Sequence, residues 1–428
     1  MELLTVSVGG FRNVKKTTVH LDSITALVGL NGSGKSNLLK AIDYGFDFLH
    51  ASSEEREAMM ANTANIPLLK TMPANPFSFS IESRLSLRQQ AYCIRYEFEF
   101  AWQTQRSDAK ILTESLQVKR DEKGQKYRSF FSRSEKTAKY LPSETGRCDK
   151  ALPIDNTTTV LSKLLAYDDL FYAELLKAIR DTEFYIDAHL DASKSFRVHP
   201  LVIRDFEELN LNRLDDIPRA IFYLKRDDPS RYALLIDAFQ QLFPNIKEII
   251  VTEHKLEMPD MPSLPEEVPL VFSESFYTMR IVDAKLVQPI DFRALSAGTL
   301  RIFLLLTMAV IADIKGLSLI AIEEPENSLH PSLLQTLLDI LNQLIGSCKI
   351  IMSSHSPYMV QYLKPHSIYI TRLNDAGEAN FERIAAGKVN ALFRDATENE
   401  ESIGDYLFHI LSSANADEFL EEYLEAND

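Results

Sequence analysis

The chain has 428 residues, 45% hydrophobic and 25% charged, which is enough to bury a large core as one domain with an insertion or as two ordinary domains, and too long for a small stapled scaffold. Its formal net charge of −15 excludes a protein that coats nucleic acid indiscriminately, since neutralising phosphates takes an excess of Lys and Arg. The three cysteines, Cys93, Cys148 and Cys348, are far apart and show no CxxC spacing, so they point to neither a disulfide framework nor a zinc site and fit a cytoplasmic setting.

Met1 opens into an apolar alternation without a basic leader. The longest apolar stretch, Ile302–Ala312, is short for a bilayer, so neither signal peptide nor membrane anchor is expected. Strand, turn and strand come first, followed by an apolar run, Ile24–Val28, that feeds the segment GLNGSGKS, Gly29 to Ser36. This segment fits G-x-x-x-x-G-K-[ST]. Gly29, Asn31, Gly32, Ser33 and Gly34 let the backbone turn its N–H groups toward phosphates, Lys35 reaches the β/γ-phosphates, and Ser36 ligates Mg²⁺. A helix follows with Asn37 at its start and Leu38, Leu39 and Ile42 on its apolar face.

Beyond a polar helix and irregular connection over Ala51–Pro76, residues Phe77–Leu87 and Tyr92–Phe100 alternate apolar with polar around Arg88-Gln89-Gln90, as in an antiparallel hairpin. Between Arg106 and Lys150 twelve basic residues meet seven acidic ones near Tyr127, Phe130 and Phe131, which reads as a solvated hairpin or a phosphate-contacting edge. Helical spacing takes over from Thr159 to about Leu242, without sustained heptads. Strand-like Lys247–Thr252 leads to a breaker region at Pro259, Pro262, Pro265 and Pro269, and Leu270–Leu286 reads as strands again.

The segment LSAGTLR, Leu295 to Arg301, precedes an apolar helix stopped by Gly316. Ser296 and Gly298 would place a hydroxyl and bare backbone donors at that helix's start; alone, the pattern is equally a Ser-x-Gly cap. Leu317–Ile322 is a buried parallel strand ending in Glu323-Glu324. Such a pair suits Mg²⁺ holding by Glu323 and polarisation of water by Glu324; in isolation it is also an ordinary acidic loop. A helix from Pro331 and a strand over Lys349–Ser353 then deliver His355 to the same edge, where γ-phosphate contact becomes its role.

In this order the four elements resemble the ATP-binding-cassette superfamily, and EEPENSLHP (Glu323 to Pro331) with SSHSP (Ser353 to Pro357) is similar to heads of its OLD and RecF-like group. The opening FRNVKKTTVHL and the segment DFRALSAGTLR carry the same resemblance, which covers about residues 1–48, 77–120 and 270–372. It implies an α/β fold, an ABC-ATPase head with a mixed, largely parallel nucleotide-binding sheet, an antiparallel meander and a helical insertion. The expected parts are an N-terminal lobe over 1–150, an insertion over 151–246, a C-terminal lobe over 247–395 and an acidic segment over 396–428. The last holds ten Asp or Glu from Ala396 onward and no Lys or Arg, and is expected to dock a basic partner or to end as a solvated helix.

The resemblance further implies an ATPase using ATP and Mg²⁺, with Glu324 and His355 catalytic, working as a homodimer or higher homo-oligomer in which Glu326–His330 crosses the interface. Phe11 and Arg12 are candidates near the base. No nuclease domain is identified. Antiphage defence with a separately encoded nuclease or toxin-like effector is the expected setting; a RecF-like DNA-loading ATPase and a nucleotide-ordered scaffold are the alternatives, and DNA stays open as a ligand.

Overall fold

The structure is a computed structural model that describes residues 1–104, 108–167, 169–187, 192–197, 201–203, 216–256, 270–413 and 415–425. The four prolines from Pro259 to Pro269 fall outside the described residues. By packing, the chain divides into two units: Met1–Ile186 with Leu317–Glu324 and Ser347–Asp428, and Asp187–Gly316 with Pro325–Gly346. This division departs from boundaries at 150, 246 and 395: residues after 150 continue the first unit as far as Ile186.

The first unit holds a six-stranded sheet in the order Phe184–Asp187, Leu319–Glu323, Lys349–Ser354, Ile24–Val28, Ile368–Leu373, Ala379–Arg383. The pairings between Leu319–Glu323 and Lys349–Ser354, and of Ile24–Val28 with both of its neighbours, are parallel; Ala379–Arg383 runs antiparallel at the edge. Strands Ile24–Val28 and Leu319–Glu323 are buried at every position, as expected where both faces of a parallel sheet are covered.

An eight-stranded antiparallel sheet runs Thr17–His20, Glu2–Gly9, Phe77–Leu87, Gln90–Ala101, Lys110–Arg120, Arg128–Ser134, Thr137–Tyr140, Lys150–Leu152. Here the strands alternate buried and half-buried residues, so Phe77, Phe79 and Ile81 share one face. The hairpin pairs Phe77 with Phe100, and its turn puts both Arg88 and Gln89 at positive φ. Helix Lys35–His50 shares one apolar cluster with both sheets: Leu38 and Phe46 pack with Phe79 and Phe98 of the eight-stranded sheet and Leu27 and Ile351 of the six-stranded one.

In the second unit strands Ile246–Lys255, Ser275–Asp283 and Ile290–Asp291 form a small antiparallel sheet, and Leu201–Ile203 pairs with Leu270–Phe272. Its longer helices among the described residues are Ile217–Asp227, Pro229–Leu242, Ala297–Lys315 and Pro331–Leu344. The reading of the apolar stretch as too short for a bilayer is corrected: the helix spans Ala297–Lys315, long and apolar enough to cross a membrane by length and composition. Here its residues from Leu300 through Ala312 are buried in the protein.

The acidic end also differs from a solvated tail. Leu407, Ile410, Leu411, Leu420 and Tyr423 are buried, Arg372 pairs with Asp417 and Arg383 with Glu425, and Gly404 lies against Pro357 so closely that a Cβ would meet its carbonyl oxygen at 2.1 Å. Carboxylates fill the outward positions of short helices whose inward positions are apolar.

Candidate functional site

Ile24–Val28 ends in a loop whose close packing dictates its residues. A Cβ at Gly29 would sit 2.3 Å from the backbone oxygen and Oγ1 of Thr371, so only glycine fits. Gly32 and Gly34 have φ of 79° and 100°, turning the chain tightly into helix Lys35–His50. The Lys35 side chain, buried apart from 7%, folds over the loop and donates to the carbonyls of Gly29 and Leu30 at 2.8 Å each. Ser36, next in line, is exposed at the helix start. Asn37 is instead tied into a polar clasp, donating to Asn13 Oδ1 at 2.8 Å and accepting from Arg12 at 3.1 Å.

Parallel pairing sets the rest of the site beside this loop. Glu323 lies opposite Ser353, and Ser353 opposite Leu27, so three neighbouring strands end on one edge. Glu323 closes its strand with 6% exposure. Glu324 then adopts φ 48°, a left-handed conformation uncommon for a non-glycine residue, with its N–H donating to Ser353 O at 2.9 Å. That turn carries its carboxylate to 3.3 Å from His355 Nδ1, both side chains being partly exposed. The Gly29–Ser36 loop, Glu323, Glu324 and His355 are thus brought together in one unit.

Ser296 and Gly298 belong to the other unit. Ser296 caps helix Ala297–Lys315, its Oγ accepting from Thr299 N at 3.2 Å, while the residue stays exposed. Gly298 has a packing role: a Cβ there would meet Ser328 O at 2.3 Å. Ser328, at φ 66°, lies within the Glu326–His330 segment, so the start of helix Ala297–Lys315 and that segment are seated on one another.

Phe11, a candidate near the base, is 1% exposed and packs its ring against Tyr44 and Phe77. Arg12, at φ 51°, bridges Asn37 and Asn65 instead of standing alone. Sequence reading missed Thr371 altogether. Its hydroxyl lies 2.8 Å from Ser33 Oγ across a separation of 338 residues, and nothing local in the sequence could signal that. A cleft of about 480 Å³ lies behind the loop, between Leu30–Ser33, Thr371–Leu373 and residues Asn415–Glu418.

The residues fit Mg-ATP. The glycine cradle and the buried ammonium suit a polyphosphate, and the exposed Ser36 hydroxyl and the strand-end carboxylate of Glu323 are oxygen groups of the kind Mg²⁺ takes, one or two from the protein with phosphate oxygens. Among the described residues there is no cluster of three or more His, Cys, Asp or Glu of the kind that would hold a metal by protein ligands alone.

Likeness to solved structures agrees with the architecture. The structure of the Smc head bound to the C-winged helix domain of ScpA is similar at a TM-score of 0.53 and 15% identity, over 91% of this chain and 100% of that one. The SMC head domain from Thermotoga maritima matches at a TM-score of 0.45 and 12% identity, over 90% and 100%, a likeness too low to build on. A search of the curated proteins finds no match. The fold is that of an Smc head, with a partly parallel sheet, an antiparallel meander and helices. The family described as "AAA domain, putative AbiEii toxin, Type IV TA system" matches residues 24–361. Most of the length, including the phosphate loop, the acidic strand end and His355, lies within that match, and the chain belongs to this family.

Proposed function

We propose that this chain is an ATP-hydrolysing ABC-type head of the OLD and RecF-like group that closes as a homodimer over Mg-ATP and acts as a conformational sensor in antiphage defence, with a separately encoded effector. The supporting observation is the shared edge, where Glu324, His355 and the phosphate loop end three adjacent strands. Lys35 turns its ammonium from the loop carbonyls to the β/γ-phosphates. Ser36 and Glu323 hold Mg²⁺, which, when bound, draws charge from the phosphate oxygens. Glu324 orients the attacking water and accepts its proton, and His355, 3.3 Å away, contacts the γ-phosphate. Ser296 and the backbone at Gly298 face the nucleotide of the partner protomer.

Complementation tests the shared site. Lys35→Ala and Ser296→Arg should each be inactive, and mixing the two with time for subunit exchange should restore part of the ATPase activity, since one site of a mixed dimer joins two intact halves. No recovery despite demonstrated mixed dimers would rule out a site shared between protomers.

A further inference from the structure

We infer that Thr371 is the positioning residue of the phosphate loop, aligning the Lys35 ammonium through the hydroxyl of Ser33; this rests on the reading of that loop as a nucleotide site. Thr371 and Ser33 are 1% and 5% exposed, and they connect the loop to the strand Ile368–Leu373, which pairs with Ile24–Val28. Three contacts run in series: Lys35 Nζ to Ser33 Oγ at 3.4 Å, Ser33 Oγ to Thr371 Oγ1 at 2.8 Å, and Thr371 Oγ1 to Val28 O at 3.1 Å.

The direction of every hydrogen in this series follows from its two ends. An ammonium only donates and a carbonyl only accepts. Thr371 has one hydroxyl hydrogen and spends it on Val28 O, so Ser33 donates to Thr371 and turns its lone pairs toward Lys35. Without the Thr371 acceptor, the Ser33 hydrogen is free to rotate toward the ammonium, where it repels. Branching at Cβ limits the Thr371 rotamers, and the closeness of its backbone to Gly29 fixes where the hydroxyl stands.

Valine keeps the shape of Thr371 and removes only the hydroxyl, whereas serine keeps the hydroxyl. In a titration with a fluorescent ATP analogue, Thr371→Val should raise Kd about fivefold, the size of one net hydrogen bond, and raise KM for ATP similarly while kcat stays nearly unchanged. Thr371→Ser should bind like wild type. Ser33→Ala should reproduce the Thr371→Val effect, and the double variant should add little, since both remove one contact. A Thr371→Val protein with a lowered Tm but wild-type Kd would reduce Thr371 to a structural residue and overturn the inference. If Thr371→Val does not fold, Ser33→Ala decides, and an unchanged Kd overturns it. Wild-type protein that binds no ATP would sink the nucleotide reading itself, whereas wild-type binding with indifferent variants would sink the positioning role alone.

Discussion

The two sheets of the first unit spend their charged residues differently. In the eight-stranded sheet Glu114 is wholly buried, yet it accepts hydrogen bonds from Tyr96 Oη and from the N–H groups of Val160 and Leu161, capping the start of a short helix. Burial holds its carboxyl above the usual carboxylate range. Two residues of the basic stretch are tied to this sheet: Lys119 lies 4.7 Å from the Tyr127 ring centre, and Arg133 donates to the carbonyls of Asp155 and Thr158. In the six-stranded sheet the parallel strands bring their charged ends to one edge, where Glu324 and His355 remain partly open to solvent. A buried acid is therefore no sign of chemistry by itself; strand direction decides whether charged ends converge or are divided between opposite edges.

The sharpest way to break this comparison is to neutralise one carboxylate in each sheet. Glu324→Gln should lower the ATPase rate by roughly 10²–10⁴-fold while ATP binding persists and the ATP-bound dimer accumulates. Unchanged turnover would move the base elsewhere and dissolve the contrast. Glu114→Gln should do the reverse. It sets an amide –NH₂ among donors, costing about 1–3 kcal/mol of stability, read as a lower Tm, with activity per folded molecule retained. A large loss of turnover in folded Glu114→Gln protein would show that the antiparallel sheet also serves the site.

The smallest effect concerns the helix between the two sheets. Burial, aided by the neighbouring Asp47 charge, pushes the Asp43 carboxyl up to about 7 from its ordinary 3.8. The folded state binds this proton more tightly than the unfolded chain, so the stability it contributes is fully present below about 4 and is lost as pH rises through about 7. Asp43→Asn should show no such loss from this position, and its Tm should gain on that of wild type as pH rises from 4 to 8. Parallel curves for the two proteins would place Asp43 in solvent.

Much of the fold was legible because the periodicities are local. Ile24–Val28 is a strand as its apolar run predicts, the 88–90 turn closes the expected hairpin, and Gly316, at φ 67°, ends the helix that it was expected to stop. The reading failed where local signals were mixed. The helical middle is broken by strands Phe184–Asp187 and Leu201–Ile203, because short apolar runs fit either period until a partner strand selects one.

The sequence by itself determined the candidate chemistry: a glycine-rich turn followed by Lys35 and Ser36, and an acidic pair at the end of an apolar strand, have few physical uses, and spacing along one chain suffices to recognise them. Only the tertiary structure decided which groups meet. Parallel pairing aligned Glu323 with Ser353 and Ser353 with Leu27, the left-handed turn at Glu324 carried its carboxylate to His355, and Thr371 came to the loop from 338 residues beyond Ser33. Contacts of this kind depend on sheet order and on space emptied by glycine. Neither is written in a local pattern, because each is fixed by which distant segments the core brings together.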